Sequence, residues 1–222
     1  MNIIQLEEVI NIVKNSYYNS NTNSTLYTIC DIKYNIDVVL IASSLTKAYI
    51  KFYKLFKQHN NILIINNNEE YNKIILDNQI ISNISYLYKK YIFGLITNWK
   101  TIKNFITLYK WLLIIINLIK TYKIHISIKS YIKLYRIIVK LHFICKGLQQ
   151  LTVIPSYIFI VDLKPTSNIL KEILLKNKYL ICINTETYLL QKSYIPIIGF
   201  VNKIILTLTL YLINIAYIQS KI

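Results

Sequence analysis

Short apolar runs of strand length alternate with amphipathic helical stretches along most of this chain, and no other feature constrains its fold as tightly. Asp37-Val38-Val39-Leu40-Ile41, Asn61-Ile62-Leu63-Ile64-Ile65, Tyr157-Ile158-Phe159-Ile160-Val161-Asp162 and Tyr179-Leu180-Ile181-Cys182-Ile183 lack polar alternation. That is the pattern of strands covered on both faces. Ile80 to Tyr88 and Tyr194 to Ile198 read as further extended segments. After the first run, Ser43 or Ser44 is placed to cap a helix whose apolar residues are Leu45, Ala48, Tyr49, Phe52, Leu55 and Phe56; Lys47, Lys51, Lys54 and Lys57 take another face. Glu69 to Asp77 reads as a short helix with acids in its first turn, and Asn168 to Lys178 as a helix with a Glu172/Lys176 pair at i, i+4. A helix from about Asn202 closes the chain. Strand, helix, strand in this order predicts right-handed crossovers and a doubly wound parallel sheet.

The rhythm breaks in the middle. No Gly or Pro occurs between Gly94 and Gly147, and helical patterns fill the interval. Lys100, Lys103, Thr107 and Lys110 share one face. After a break near Thr121 to Ser127, Lys129, Lys133, Arg136 and Lys140 recur at spacings of four, three and four, opposed by Ile128, Ile132, Tyr135 and Val139 or Ile138. The spacing predicts two antiparallel helices, each about 30 Å long. The expected organisation is a poorly patterned N-terminal arm, 1–35, a discontinuous α/β domain, 36–99 and 148–222, and an inserted helical hairpin, 100–147.

The chain is long enough at 222 residues for a domain with an insertion, and its formal net charge of +16 points to nucleic acid or an anionic membrane. Ile, Lys, Asn and Tyr supply 116 of the 222 residues, while Gly, Ala, Pro and Arg supply ten. An A/T-rich genome gives that profile, since the abundant four have A/T-rich codons. It accounts for lysine in place of arginine, but not for the excess of lysines over acids. Cys30, Cys145 and Cys182 are odd in number and far apart, so reduced thiols are expected rather than disulfides or zinc. Glu7 and Glu8 stand where a signal peptide carries basic and apolar residues, and the arm lacks a transit peptide's Arg/Ser-rich look, which suggests a protein made where it works. Mean hydropathy of +0.38 raises the alternative of a small multi-helix membrane protein. Ile204 to Ser220 is uncharged and near spanning length, but Lys203, Thr207, Asn214, Tyr217 and Lys221 share one face, as in an amphipathic surface helix. Trp111 to Ile119 is too short to span alone.

Parallel α/β domains bind ligands at the carboxyl ends of their strands. The exits here, Ala42-Ser43-Ser44, Asn66-Asn67-Asn68 and Asn184-Thr185-Glu186, have no glycine to admit a phosphate. Asp162 is the best-placed acid, but an Asp before a turn usually caps it or forms an Asx-turn. His59, His125 and His142 are dispersed, without zinc spacing, and no Gly-x-Ser-x-Gly elbow occurs. His59 is expected at a helix end; His142 is near enough to Arg136 and Lys140 to touch phosphate, though packing is its commoner fate. No enzyme, cofactor, metal or small-molecule substrate is expected. The basic stripes remain, and lysines give point-charge contacts to phosphate that position RNA without reading sequence.

Lys89-Lys90-Tyr91-Ile92-Phe93-Gly94-Leu95-Ile96-Thr97-Asn98-Trp99-Lys100 sets a turn-permitting glycine and a helix start, at Thr97 or Asn98, among lysines. Its Gly-x-x-Thr-Asn-Trp-Lys resembles a segment of the bacterial and organellar small-ribosomal-subunit protein two family. Ile154-Pro155-Ser156 through Asp162 resembles that family's Leu-Pro-Asp turn and following strand, Ile169-Leu170-Lys171-Glu172 its Ala-Ile-Lys-Glu helix, and Cys182-Ile183-Asn184-Thr185 its Val-Asp-Thr-Asn strand exit. Thr209-Leu210-Tyr211-Leu212 fits its terminal helix. The likeness runs in order from about residue 36 to 215. The family's Gly-His and Asn-Pro elements are absent from 1–35, its Arg-Trp-Leu-Gly-Gly is Lys90-Tyr91-Ile92-Phe93-Gly94, and its Asp after the last core strand is Asn184. The resemblance implies a three-layer, flavodoxin-like fold with a protruding hairpin, a structural role on the small subunit, and small-subunit ribosomal RNA and neighbouring ribosomal proteins as partners, with no membrane. Lys47, Lys51, Lys54, Lys89, Lys90, Lys100, Lys103, Lys110, Lys129, Lys133, Arg136 and Lys140 are the expected RNA contacts. Gly94, Thr97, Asn98, Trp99, Pro155 and Asp162 are the expected structural motif. The composition places such a protein in an organelle, a plastid before a mitochondrion.

Overall fold

A computed structural model describes residues 38–78, 84–87, 91–164 and 166–222. The arm 1–35 with Glu7, Glu8 and Cys30, and also Asp37, Lys89, Lys90 and Pro165, lie outside the described residues. Five strands form one sheet: β1 (Ile62–Asn66), β2 (Ser85–Leu87), β3 (Tyr157–Val161), β4 (Tyr179–Asn184) and β5 (Ile195–Ile198). Their order is β2-β1-β3-β4-β5 and every pairing is parallel. This is the flavodoxin-like winding, in which the chain reverses direction between β1 and β3. Ile64 lies opposite Tyr86 on one side and Phe159 on the other, and β1 is apolar up to its last residue, Asn66.

Strand residues divide by parity between two layers. Ile62, Ile64, Phe159, Val161, Ile181 and Ile183 join a core with α1 (Val38–Lys57), α2 (Asn72–Asn78) and α7 (Lys203–Lys221). Leu63, Ile65, Ile158, Ile160, Leu180 and Cys182 join the other, with α3 (Trp99–Thr121), α4 (Ile128–Cys145), α5 (Asn168–Leu175) and α6 (Thr187–Lys192). Helices α3 and α4 follow each other between β2 and β3 and pack together. Gly147 closes that passage. A Cβ there would sit 2.2 Å from the Tyr86 carbonyl oxygen, so only glycine lets the short turn Lys146–Leu148 touch β2.

Several sequence expectations are corrected. The run 37–41 is not a strand: its described part, from Val38, opens α1. Val39 and Leu40 are half exposed, at 49% and 51%, while Ile41, Ala42, Leu45, Ala48 and Phe52 are buried. One-sided burial at helical spacing outweighs a β-branched run. Ser43 and Ser44 are therefore interior to the helix. Ser43 Oγ donates to the Leu40 carbonyl and Ser44 Oγ to that of Ile41, while Ser44 Oγ also accepts the Ile198 N–H at 3.1 Å. The stretch 69–77 splits into a single 3-10 turn, Glu69–Tyr71, and α2. Of the segment 80–88, Ser85 to Leu87 is strand, and 80–83 and 88 lie outside the described residues.

The helix expected to reach Lys178 ends at Leu175, closed by Asn177 at φ 48 with the Lys178 N–H on the Ile173 carbonyl. On α7, Lys203, Thr207 and Lys221 are exposed, but Asn214 is buried and donates to the Asn78 carbonyl at 2.9 Å. The polar stripe thus turns inward where α7 meets the end of α2.

Candidate nucleic-acid interface

The turn between β2 and α3 is held by one carboxylate. Glu172, buried on α5, does not turn out to Lys176. Its Oε1 accepts the Gly94 N–H at 2.8 Å, and its Oε2 accepts the Ile96 and Thr97 N–H groups at 3.1 Å each and the Thr97 hydroxyl at 3.2 Å. Burial works to raise the Glu172 pKa, but these donors and the adjacent Tyr91 phenol outweigh it, and the carboxyl sits below its ordinary value. The Tyr91 hydroxyl is buried beside the carboxylate without a well-formed hydrogen bond, and burial followed by that negative neighbour pushes its own pKa far up.

Gly94 has φ +82, the left-handed conformation the turn requires. Asn98 takes the N-cap position of α3, but its Oδ1 accepts the Thr101 hydroxyl at 2.8 Å and caps no N–H. Trp99 packs half-buried on the second core with its indole N–H enclosed. Pro155 is buried ahead of β3, and Asp162 leaves that strand exposed at φ 58, a conformation Asp tolerates.

This turn launches α3 with Lys100 and Lys103 exposed in its first turns and no acid to offset them. Lys110, Lys129, Lys133, Arg136 and Lys140 are exposed as well, and Trp99 to Cys145 contains no Asp or Glu. The packing side of α4 differs from expectation. Leu134, Ile138, Leu141 and Cys145 face the core, whereas Ile128, Ile132, Tyr135 and Val139 are exposed, each directly preceding one cation of the stripe. Two apolar lines run along α4, and the sequence alone does not rank them.

A second cationic group lies on α1. Lys47, Lys51 and Lys54 line a groove of about 430 Å³ whose other wall is Ile195, Pro196 and Ile198 of β5. Lys51 Nζ donates to the Tyr194 carbonyl at 2.6 Å and stands 5.2 Å from that ring's centre. Tyr194 in turn clusters with Tyr157 and Tyr179, centroids 5.0–5.5 Å apart. The sequence expectations do not include this junction. Its one signal is a tyrosine at or just before the start of three successive strands.

The strand exits are occupied by their own loops. The Asn66 amide donates to the Asn68 carbonyl and to Asn72 Oδ1, and Asn68 returns its N–H to Asn66 Oδ1. The Asn184 amide donates to the Leu163 carbonyl, while its Oδ1 accepts the Thr185 and Glu186 N–H groups. Ala42-Ser43-Ser44 is no exit at all, since it lies in α1. His59 closes α1 in the left-handed conformation, and His142 Nδ1 lies 2.7 Å from the Tyr109 hydroxyl, its pKa lowered by burial and then by Lys146. Cys145 and Cys182 are buried free thiols, both pushed up to about 11 by burial. Among the described residues no cluster of His, Cys, Asp or Glu is arranged to hold a metal.

Among the described residues, two helices, α3 and α7, are long and apolar enough to cross a membrane. Yet α7 directs Leu206, Leu210 and Ile213 into the first core, and α3 carries Lys103 and Lys110 along its length. No curated protein matches the chain. Residues 12–202 match the family described as ribosomal protein S2. That match covers most of the sequence and spans all five strands and the intervening α3 and α4, so the chain belongs to the ribosomal protein S2 family.

Proposed function

We propose that the chain grips small-subunit ribosomal RNA through three groups of cations. These are Lys47, Lys51 and Lys54 on α1; Lys89, Lys90, Lys100, Lys103 and Lys110 around and beyond the Gly94 turn; and Lys129, Lys133, Arg136 and Lys140 on α4. As a member of its family the protein is a structural constituent of the small ribosomal subunit and works on the ribosome in translation. One observation carries the RNA reading: no acid occurs between Asp77 and Asp162, and every candidate cation among the described residues is exposed. Such a surface attracts phosphate without sequence readout. In this reading α3 and α4 form an antiparallel hairpin inserted at 100–147 into an α/β domain of 36–99 and 148–222. Gly94, Thr97, Asn98, Trp99, Pro155 and Asp162 shape its base and the strand that follows. The protein scaffolds RNA and neighbouring ribosomal proteins and catalyses nothing. The A/T-skewed composition supports an organellar ribosome, that of a plastid first. Purified protein should bind small-subunit RNA with an affinity that falls steeply with salt. Binding indifferent to salt, or absent at low salt, would sink the reading, and gradient fractionation of plastids against mitochondria tests the location.

A further inference from the structure

We infer that the groove between α1 and β5 takes a single unpaired nucleotide of RNA, its base on the apolar wall and its phosphates on the lysine rim. This rests on the RNA-binding reading above and gives one of its three cationic groups a defined ligand. The groove, about 430 Å³, falls within the size range of small-ligand sites. Ala48, Ile195 and Pro196 give it an apolar lining, while Lys47, Lys51 and Lys54 are the charged residues that line it among the described residues. A lone phosphate would leave the apolar wall unused, and a plain apolar ligand would leave the positive charge of the rim without a counter-charge. A base with its phosphates uses both.

The site is held in shape before any ligand arrives. Ser44 Oγ joins α1 to the Ile198 N–H at 3.1 Å, and the Tyr194 carbonyl fixes Lys51 at 2.6 Å while leaving that ammonium further donors. An extended peptide adding itself to the sheet fits less well, because β5, an edge strand among the described residues, has Pro196 at its centre, which lacks the N–H a ladder needs. A second copy of the chain is disfavoured by a net charge of +16 on each. Single-stranded RNA is recognised where its bases are unstacked and splayed onto protein, and bulges supply such bases.

The test compares two short RNA duplexes, identical except that one carries a single bulged 2-aminopurine nucleotide, binding the full chain at one fixed salt concentration. The bulged RNA should bind about tenfold tighter, about 1.4 kcal/mol, which burial of one base against aliphatic side chains supplies. Its fluorescence should also change on binding. Ile50→Glu places a carboxylate at the groove from a side chain that is 52% exposed, so folding should survive, as circular dichroism would verify. That variant should lose the preference for the bulge and keep most of its duplex affinity, whereas Lys110→Glu should weaken both RNAs alike. Equal binding of the two RNAs by the unaltered chain, or a preference that survives Ile50→Glu, would overturn the groove assignment and leave the RNA reading standing. Failure to bind either RNA would overturn both.

Discussion

Helices α3 and α7 are near twins in composition and opposites in surroundings. Both are apolar enough to cross a membrane by length and hydropathy, yet 44% of the α7 window is buried and only 22% of the α3 window. Helix α7 lies on α1 and on the sheet, and its isoleucines and leucines complete the first core. Helix α3 buries Ile102, Ile106, Tyr109, Leu112 and Ile116 and leaves Leu108, Trp111, Ile115 and Leu118 exposed at spacings of three and four. Fourteen of the twenty-eight large exposed apolar side chains among the described residues lie between Trp99 and Cys145. An isoleucine-rich composition therefore says little about burial by itself. What separates the two helices is whether a second apolar layer faces them, and that is a property of topology. The α/β body has such a layer on both faces of the sheet, whereas the helix pair has one side only.

The largest effect should come from the first layer. Phe52 is fully buried in α1, and Phe52→Ala should cost about 3–5 kcal/mol of stability in urea unfolding, from lost transfer energy and the cavity left behind. Trp111, a larger side chain that is 61% exposed, should cost about 0.5 kcal/mol or less when replaced by alanine. Comparable losses at the two positions would break the contrast between body and helix pair.

The joint between these regions comes next. Glu172→Ala should cost about 3 kcal/mol, because buried N–H groups at the Gly94 turn lose their acceptor. The effect carries a pH signature with a definite sign. The folded-state pKa of Glu172 lies below the ordinary 4.5, so its contribution is complete above about pH 4.5 and is lost as pH falls through the folded value. The difference in stability between wild type and Glu172→Gln should therefore shrink on acidification through that window. A difference independent of pH would mean that the charge does nothing for the turn.

This joint also marks where the sequence stops being legible. The runs 61–65, 157–162 and 179–183 match β1, β3 and β4 to within a residue at each end, because a strand covered on both faces needs only local, unbroken apolar residues. The run 37–41 reads as a strand for a related reason: from Val38 it is apolar and β-branched, and only its phase with Leu45, Ala48 and Phe52 shows the helix. Glu172 reads as half of an i, i+4 pair because Lys176 is four residues away, while its partners at Gly94, Ile96 and Thr97 are 75–78 residues distant. Its place between Ile169 and Ile173 on the buried side of α5 was the available hint. The groove joins Lys51 to Tyr194 across 143 residues, and no local pattern encodes that meeting.

The smallest expected effect on stability is the most informative about function. Lys133 and Arg136 are exposed on α4, and neither helix of the pair carries an acid with which they could pair. Replacing both with glutamine should change stability by no more than about 0.5 kcal/mol, since no packed group or hydrogen bond is removed. The logarithm of the RNA affinity against the logarithm of salt should nevertheless flatten by roughly one unit for each cation that had met a phosphate. Replacing exposed Lys192 on α6, outside the three cationic groups, is the matching control and should leave that slope alone. A slope flattened equally by Lys192→Gln would mean that RNA senses the net charge of +16 and not the helix pair, and the division of labour between body and pair would then fail at the level of function.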